Sequence, residues 1–222
     1  MASKDQQKKF DLNDAYSVVT PEDNKNLYRN WANTYDTDFA QQRGYQYPDR
    51  LADIHAEYQR IEDAPILDVG AGTGLVAQAI KSKGFDGEID AIDISSEMLE
   101  KSQSKGLYQK YIQADLTQTL PIVDEQYGAL LSVGTFTQGH VGPQVFEELL
   151  RIARSEALFC IGINARFFDK KGFGSAFAML QANNKITTVE FIKTPYYRCD
   201  SDSDTLDKHA NDFGLTAVFR KI

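Results

Sequence analysis

Cysteine is almost missing from this sequence, since its 222 residues contain only Cys160 and Cys199. Two distant cysteines do not suggest a disulfide scaffold or a cysteine-rich zinc site, and no metal site is expected. Cys160 lies within the apolar run ALFCIGI, where a small buried core residue is expected. The first ten residues also lack an apolar signal core. We therefore expect a reduced, cytoplasmic setting.

The sequence has fewer basic than acidic residues. There are 24 Lys and Arg against 32 Asp and Glu, which gives a net charge of -8 and a pI near 4.9. Nucleic acids and anionic membranes are bound by clustered basic residues, so neither is an expected partner. No apolar run approaches the roughly 18 residues that span a bilayer. A small molecule or a protein suits this chain better, and a homodimer stays open.

Repeats, low-complexity tracts and Pro/Gly/Ser-rich linkers are absent too, so one α/β core with an appendage is expected. Residues 1–60 are rich in Asp, Asn, Gln and Tyr and hold the one Trp. Thr20 and Pro21 are typical of a helix start. We predict an N-terminal helical lid or substrate segment over residues 1–60, with a second helix over 48–60, and a core domain over 61–222.

The core domain is predicted from its alternation of short apolar runs and helical segments, which is typical of a parallel sheet covered on both faces. Predicted strands span 66–70, 88–93, 110–114, 127–133, 157–163, 186–193 and 215–220. Predicted helices between them span 74–83, 96–105, 143–154 and 173–182.

The stretch ILDVGAGTGLVAQAI places three glycines between the first strand and its helix. Free backbone N–H groups are expected there, at the sheet edge where α/β proteins bind ligands. Leu75 stands where a dinucleotide fingerprint needs its last glycine, and the lysine of a phosphate-binding loop is absent. Asp68, just before the glycines, would repel a pyrophosphate. A cationic ligand carrying an amino group is therefore favoured.

Carboxylates lie at the carboxyl ends of the next two predicted strands. Asp93 can accept hydrogen bonds from both hydroxyls of a ribose, and Met98 can lie against adenine. Asp115 can receive the exocyclic amine of adenine. Ser95 is expected to cap the intervening helix. Alternatively, Asp93 belongs to a polar turn and Asp115 is an ordinary loop residue.

Four stretches, ILDVGAGTG, IDAIDISSEML, IQADL and YGALLSVGTF, together resemble the class I S-adenosylmethionine-dependent methyltransferases over about residues 60–165. The segments KGLY and LLSVGTFTQGHVGP are more closely similar to the Williams-Beuren-region methyltransferase-like proteins. The resemblance implies an α/β fold with a Rossmann-like, seven-stranded, mostly parallel sheet whose last strand is antiparallel, with helices on both faces and an N-terminal helical lid. It implies S-adenosylmethionine as cofactor and S-adenosylhomocysteine as product.

The same resemblance assigns site residues. The methionine end of the cofactor is expected near Asp68, Gly70, Ala71, Gly72 and Gly74, and the ribose at Asp93. The adenine is expected at Ile94, Met98, Asp115 and Leu116, and the methyl-transfer side at Ser132, Val133 and Gly134. From the N-terminal segment, Tyr28, Arg29 and Tyr35 are expected to contact the cofactor.

His140 is the best candidate for a general base, because it follows the fourth strand and an unperturbed histidine has a pKa of about 6.5. The alternative is a histidine bonded within its loop. His55 and His209 are expected on the surface.

Aromatic residues of the N-terminal segment can close over a sulfonium, whose charge attracts ring faces, or can simply pack against the sheet. They are Trp31, Tyr35, Tyr45 and Tyr47. Residues that can bind an acceptor, or merely form a rim, are Arg166, Tyr196, Tyr197 and Arg198.

SVGTF occupies the place of the Asn-Pro-Pro-aromatic motif of amide and base methylation, so a small-molecule acceptor is favoured. Two alternatives stay open. One is a non-catalytic binder of S-adenosylmethionine or S-adenosylhomocysteine. The other is a nicotinamide-dependent oxidoreductase, which usually has a Tyr-x-x-x-Lys pair that this sequence lacks.

Overall fold

A computed structural model describes residues 27, 29, 31, 32, 34–36, 44–137, 139–197 and 212–222. Several predictions fall outside these residues: the helix start at Thr20 and Pro21, the cofactor contact of Tyr28, the acceptor contact of Arg198 and the exposure of His209.

Seven strands form a single sheet in the order β3-β2-β1-β4-β5-β7-β6. Strand β7 runs antiparallel to both of its neighbours, β5 and β6, and the pairs among β1 to β5 are parallel. The predicted fold class is confirmed. The last strand lies inside the sheet, however, and β6 forms the edge. The strands are β1 Ile66–Val69, β2 Ile89–Asp93, β3 Tyr111–Gln113, β4 Tyr127–Phe136, β5 Ala153–Asn164, β6 Glu190–Pro195 and β7 Phe213–Arg220.

Helices flank the sheet close to where the sequence predicts them. They are α1 Tyr47–Tyr58, α2 Leu75–Ser82, α3 Ser96–Gln103, α4 Phe146–Ile152, α5 Ala165–Phe168 and α6 Phe173–Ala182, with short 3-10 helices at Ile61–Asp63 and Pro143–Val145. Ser95 caps α3 as expected, since its hydroxyl accepts a hydrogen bond of 3.2 Å from the Met98 N–H.

The helix predicted over 143–154 is shorter than expected. Its first turn is the 3-10 helix at Pro143–Val145, and α4 ends at Ile152. Ala153 already pairs with Tyr127 in the sheet, so strand pairing ends the helix at this point. Helical periodicity along the chain could not reveal a partner strand 26 residues earlier.

The core lies on both faces of the sheet because neighbouring residues of each parallel strand point to opposite sides. Leu67 and Val69 of β1 pack into one cluster, whereas Ile66 packs into the other. The first cluster is rich in phenylalanine, and the rings of Phe136 and Phe146 stack with their centroids 5.7 Å apart. Each fully buried phenylalanine contributes about 1.5–3 kcal/mol to the folding free energy.

The prediction of a surface position for His55 is wrong, because this side chain in α1 is only 1% exposed. It lies one helical turn after Leu51 and contacts the edge of the Phe85 ring at 5.6 Å. The packed face of α1 is thus wider than the Leu51, Ile54 and Tyr58 stripe that the sequence suggests. Burial lowers the pKa of His55 to about 4.

The order of the sheet positions a crevice. Strands β2 and β3 lie on one side of β1, and the chain then returns to place β4 on its other side. Loops leaving β1 and β4 therefore diverge at the carboxyl edge, where open α/β sheets bind their ligands. Among the described residues, none of the helices has the length and apolar character needed to cross a membrane.

Candidate functional site

A cavity of about 260 Å³ opens at this carboxyl edge, between the ends of β1, β2 and β4. Most residues that the sequence assigns to the cofactor share its wall. They are Tyr35, Gly70, Ala71, Gly72, Asp93, Ile94, Met98, Asp115, Leu116, Val133 and Gly134, joined by His140. The wall does not include Asp68, Gly74 or Ser132.

Two glycines of the loop after β1 serve different purposes. Gly70 has φ +71°, and a Cβ at this position would collide with the Thr135 side chain. Gly72 has φ +53°, and a Cβ there would meet no atom within 4 Å, because the residue faces the cavity. The first glycine permits close packing of the loop on β4, and the second leaves the backbone open to a ligand.

Asp93 is held in place by the backbone of both adjoining loops. One carboxylate oxygen accepts a hydrogen bond of 2.8 Å from the Gly72 N–H, and the other accepts one of 2.9 Å from the Ser95 N–H. Burial raises the pKa of Asp93, and these N–H groups oppose that rise. A carboxylate offers about four acceptor positions, so both oxygens can still receive hydroxyl groups.

Strand β4 loses its regular pairing where it meets the cavity. Its pairing with β5 shifts register between Ser132 and Phe136, which brings Val133, Gly134 and Thr135 to the wall in succession. The Ser132 hydroxyl is fully buried and donates a 2.6 Å hydrogen bond to the Val69 carbonyl. Ser132, which the sequence places at the methyl-transfer side, is therefore absent from the cavity wall, and Thr135 lines the wall instead. A prediction that assumes strict alternation of side chains along β4 could not include this bulge.

Comparison with known proteins agrees with this geometry. Residues 66–156 match the family described as a methyltransferase domain. Human methyltransferase-like protein 27 is 36% identical over 140 residues, which cover 61% of this chain and 55% of that protein. The aligned region thus spans about half the length of this curated relative.

Two solved structures share the fold. A chain of the complex between the Haloferax volcanii Trm112 methyltransferase activator and its assigned methyltransferase has a TM-score of 0.67 and 14% identity, with 89% of this chain and 96% of that chain covered. A Methanococcus maripaludis protein assigned as an S-adenosylmethionine-dependent methyltransferase has a TM-score of 0.57 and 20% identity, with coverages of 86% and 91%. Residues 66–156 therefore belong to a methyltransferase domain, and the chain has the Rossmann-like fold of methyltransferases.

Asp68 of this methyltransferase domain lies beneath the glycine loop rather than on the cavity wall. Its side chain is 1% exposed and accepts a 2.6 Å hydrogen bond from the Tyr108 hydroxyl. Burial raises the pKa of Asp68 to about 7, although the bond from Tyr108 opposes the rise. Tyr108 also lies against Gly74, whose Cβ would be 3.2 Å from the Tyr108 ring. Neither Asp68 nor Gly74, both expected near the cofactor, lines the cavity, and both instead pack with Tyr108 beneath the loop.

His140 of the methyltransferase domain lines the cavity as predicted, but its environment differs from expectation. Burial, helped by the charge of Lys171, lowers the pKa of His140 to about 3. The Lys171 ammonium donates a 2.8 Å hydrogen bond to the His140 carbonyl. The imidazole is therefore neutral near pH 7, and its low basicity disfavours a role as general base.

The aromatic residues of the N-terminal segment divide into two that line the cavity and two that are packed in the interior. Tyr35 and Tyr45 line the cavity of the methyltransferase domain. Trp31 and Tyr47 are each 1% exposed and pack instead, Trp31 edge-on to Tyr35 at 5.2 Å. The Tyr47 hydroxyl lies 3.3 Å from the Thr216 hydroxyl of β7, which joins this cluster to the sheet.

Of the residues considered for acceptor binding, the two tyrosines lie in packed positions, whereas the Arg166 side chain is half exposed. Tyr196 and Tyr197 are 7% and 8% exposed and belong to the same aromatic cluster. The Arg166 guanidinium forms an ion pair of 2.5 Å with Asp212. Val141 and Gln144 line the cavity beside His140.

Asp36 was also missed, because a single aspartate in NWANTYD looks like a surface residue. One of its carboxylate oxygens accepts a 2.5 Å hydrogen bond from the Thr73 hydroxyl, and the other accepts one of 2.6 Å from the Lys105 ammonium. These partners come from the glycine loop and from the segment after α3. Only the tertiary structure brings the three residues together.

Proposed function

We propose that this protein is a methyltransferase that uses S-adenosylmethionine to methylate an oxygen or nitrogen of a small-molecule acceptor, leaving S-adenosylhomocysteine. The observation that carries the proposal is the position of Asp93. Its carboxylate is fixed by the Gly72 N–H on the wall of the cavity that Asp115 also lines. This is the arrangement that a ribose and an adenine would need.

The residues present fit the cofactor. Gly72 faces the cavity without a Cβ and would accommodate the methionine end. Asp93 would receive the ribose hydroxyls, and Ile94 and Met98 would flank the adenine. Asp115 and the adjoining Leu116 would border the adenine edge.

Bound S-adenosylmethionine supplies an electrophilic methyl group on a sulfonium, and methyl transfer is a direct displacement. The protein then has to align the acceptor and exclude water. Tyr35 and Tyr45 cover the cavity with apolar ring surface, which suits both tasks and suits a cation. His140 in its neutral form can orient an acceptor by one hydrogen bond. An acceptor whose proton has a high pKa would need another base.

A small molecule is the proposed acceptor because the chain has a net charge of -8 and carries SVGTF at the carboxyl end of β4. A homodimer stays an open alternative. The same proposal includes a cytoplasmic setting, the absence of nucleic-acid and membrane partners, and a domain division at residue 60. They rest on composition and on the distribution of residues along the chain.

Calorimetric titration of the full chain tests cofactor use. We expect S-adenosylmethionine and S-adenosylhomocysteine to bind and NADH not to bind. Failure of both adenosyl ligands to bind would overturn the proposal. Transfer of label from methyl-labelled cofactor to components of a metabolite extract then tests catalysis. Binding without any transfer would favour the non-catalytic binder instead.

A further inference from the structure

The N-terminal segment is tied to the glycine loop by one carboxylate. Asp36 follows Tyr35, which lines the cavity, and each oxygen of Asp36 has its own partner. The Thr73 hydroxyl donates to one at 2.5 Å, and the Lys105 ammonium donates to the other at 2.6 Å. The side chains of Asp36 and Lys105 are only 21% and 22% exposed, so solvent screens this pair weakly.

Thr73 lies in the part of the glycine loop that borders the cavity. Thr73 is 2% exposed and lies between Gly72, which faces the cavity, and Gly74, which precedes α2. A bond to its hydroxyl therefore acts on the part of the loop where the cofactor is proposed to lie. Lys105, the second partner of Asp36, comes from the segment just after α3.

A second tie lies on the other side of Tyr35 in the sequence. The Arg29 guanidinium donates a 2.8 Å hydrogen bond to Glu97 in the first turn of α3. Glu97 also accepts a 3.0 Å hydrogen bond from the Ser95 hydroxyl, and the Ser95 N–H is bonded to Asp93. Tyr35 is thus held between two contacts that both lead to the cavity wall.

We infer that Asp36 is a positioning residue that holds Tyr35 over the cavity and fixes the glycine loop through Thr73 and Lys105. The inference deepens the proposed function, on which its cofactor arm rests. Without the Asp36 charge, fewer molecules have the segment closed over the cavity. The apparent affinity for a ligand that needs the closed form falls in proportion to that population.

Trp31 allows a test that needs no ligand. It is the one tryptophan of the chain, is 1% exposed and contacts Tyr35 at 5.2 Å, so its fluorescence reports on the segment. In full-length Asp36→Asn we expect emission at longer wavelength and stronger quenching by acrylamide than in the wild type. Lys105→Gln, which removes the cation only, should change both signals in the same direction.

Asp53→Asn is the matched control. Asp53 accepts a 2.5 Å hydrogen bond from Lys83, as Asp36 does from Lys105, but it is half exposed on α1. The emission wavelength and the acrylamide quenching of Trp31 in Asp53→Asn should equal those in the wild type. Wild-type emission and quenching in both Asp36→Asn and Lys105→Gln, with far-ultraviolet circular dichroism unchanged, would overturn the inference.

The cofactor arm uses S-adenosylhomocysteine as the probe. Asp36→Asn should weaken its binding by about tenfold or more, because bonds to a charged group are lost. Asp53→Asn should leave binding unchanged. Unaltered affinity in Asp36→Asn would overturn the role of Asp36 toward the cofactor. If the wild type itself fails to bind, the proposed function is wrong, and the Trp31 measurements still decide whether Asp36 holds the segment.

Discussion

The Tyr108 hydroxyl donates a 2.6 Å hydrogen bond to the Asp68 carboxyl in the interior beneath the glycine loop. Both side chains are less than 8% exposed, so water cannot replace either partner. Tyr108 belongs to the KGLY segment and Asp68 to ILDVGAGTG. Two motifs that are 40 residues apart are thus joined by one bond that supports the loop.

Removing this bond should destabilise the protein without changing the cavity wall. We expect Tyr108→Phe to lower the free energy of unfolding by about 1–3 kcal/mol, because a buried carboxyl loses its partner. Tyr58→Phe is the control, since the Tyr58 hydroxyl makes a similar 2.7 Å bond to Glu190 at the surface. Urea unfolding measures both variants, and equal losses would contradict a special role for the buried pair.

Stability should depend on pH through His55. Its pKa is about 4 in the folded state and about 6.5 when unfolded, so the unfolded chain binds the proton first as pH falls. As pH falls from about 6.5 to about 4, the free energy of unfolding therefore decreases by on the order of 3 kcal/mol.

Comparison with His55→Gln isolates this contribution. Asp68 acts in the opposite direction, since a pKa raised to about 7 makes the folded state lose stability as pH rises from about 4 toward 7. Urea unfolding at several pH values measures the free energy of unfolding of the wild type and of His55→Gln. Asp68 contributes equally to both proteins, so its contribution cancels in their difference. A difference that is independent of pH between 4 and 7 would disprove the predicted titration of His55.

Asp93 should decide cofactor affinity. We expect Asp93→Ala to weaken S-adenosylhomocysteine binding by at least about tenfold, because the charged acceptor for the ribose is lost and Gly72 loses its bond. Asp124→Asn removes a carboxylate that pairs with Arg151 at the surface and should bind normally. Calorimetry gives both affinities, and equal values would refute the assigned position of the ribose.

His140 should affect turnover more than affinity. Because its pKa is lowered to about 3, the imidazole stays neutral, and kcat/KM should show no limb near pH 6.5 from this residue. His140→Ala should slow turnover on the true acceptor with cofactor affinity intact, and His140→Gln should retain more activity. A limb near pH 6.5 that disappears in His140→Gln would restore the general-base role.

Much of this site could be predicted because its residues follow strands in chain order. Gly70 and Gly72 follow β1, Asp93 ends β2 and Asp115 follows β3, and parallel strands bring their carboxyl ends to one edge. The alternation of apolar runs and helical segments likewise predicted α6 at Phe173–Ala182 with its exact limits. These features depend on local composition and periodicity, which the sequence displays directly.

Long-range contacts decided the rest. Because of the bulge in β4, Thr135 rather than Ser132 lines the cavity. Pairing of Ala153 with Tyr127 made α4 shorter than predicted. Burial of His55 and His140 changed their pKa values, because desolvation depends on neighbours that are distant in the chain. The sequence by itself determined which elements form and which ligand class suits their ends. The tertiary structure determined which side chains reach the cavity, in which charge state, and that Asp36 joins the N-terminal segment to the glycine loop, because these properties arise only when distant segments pack together.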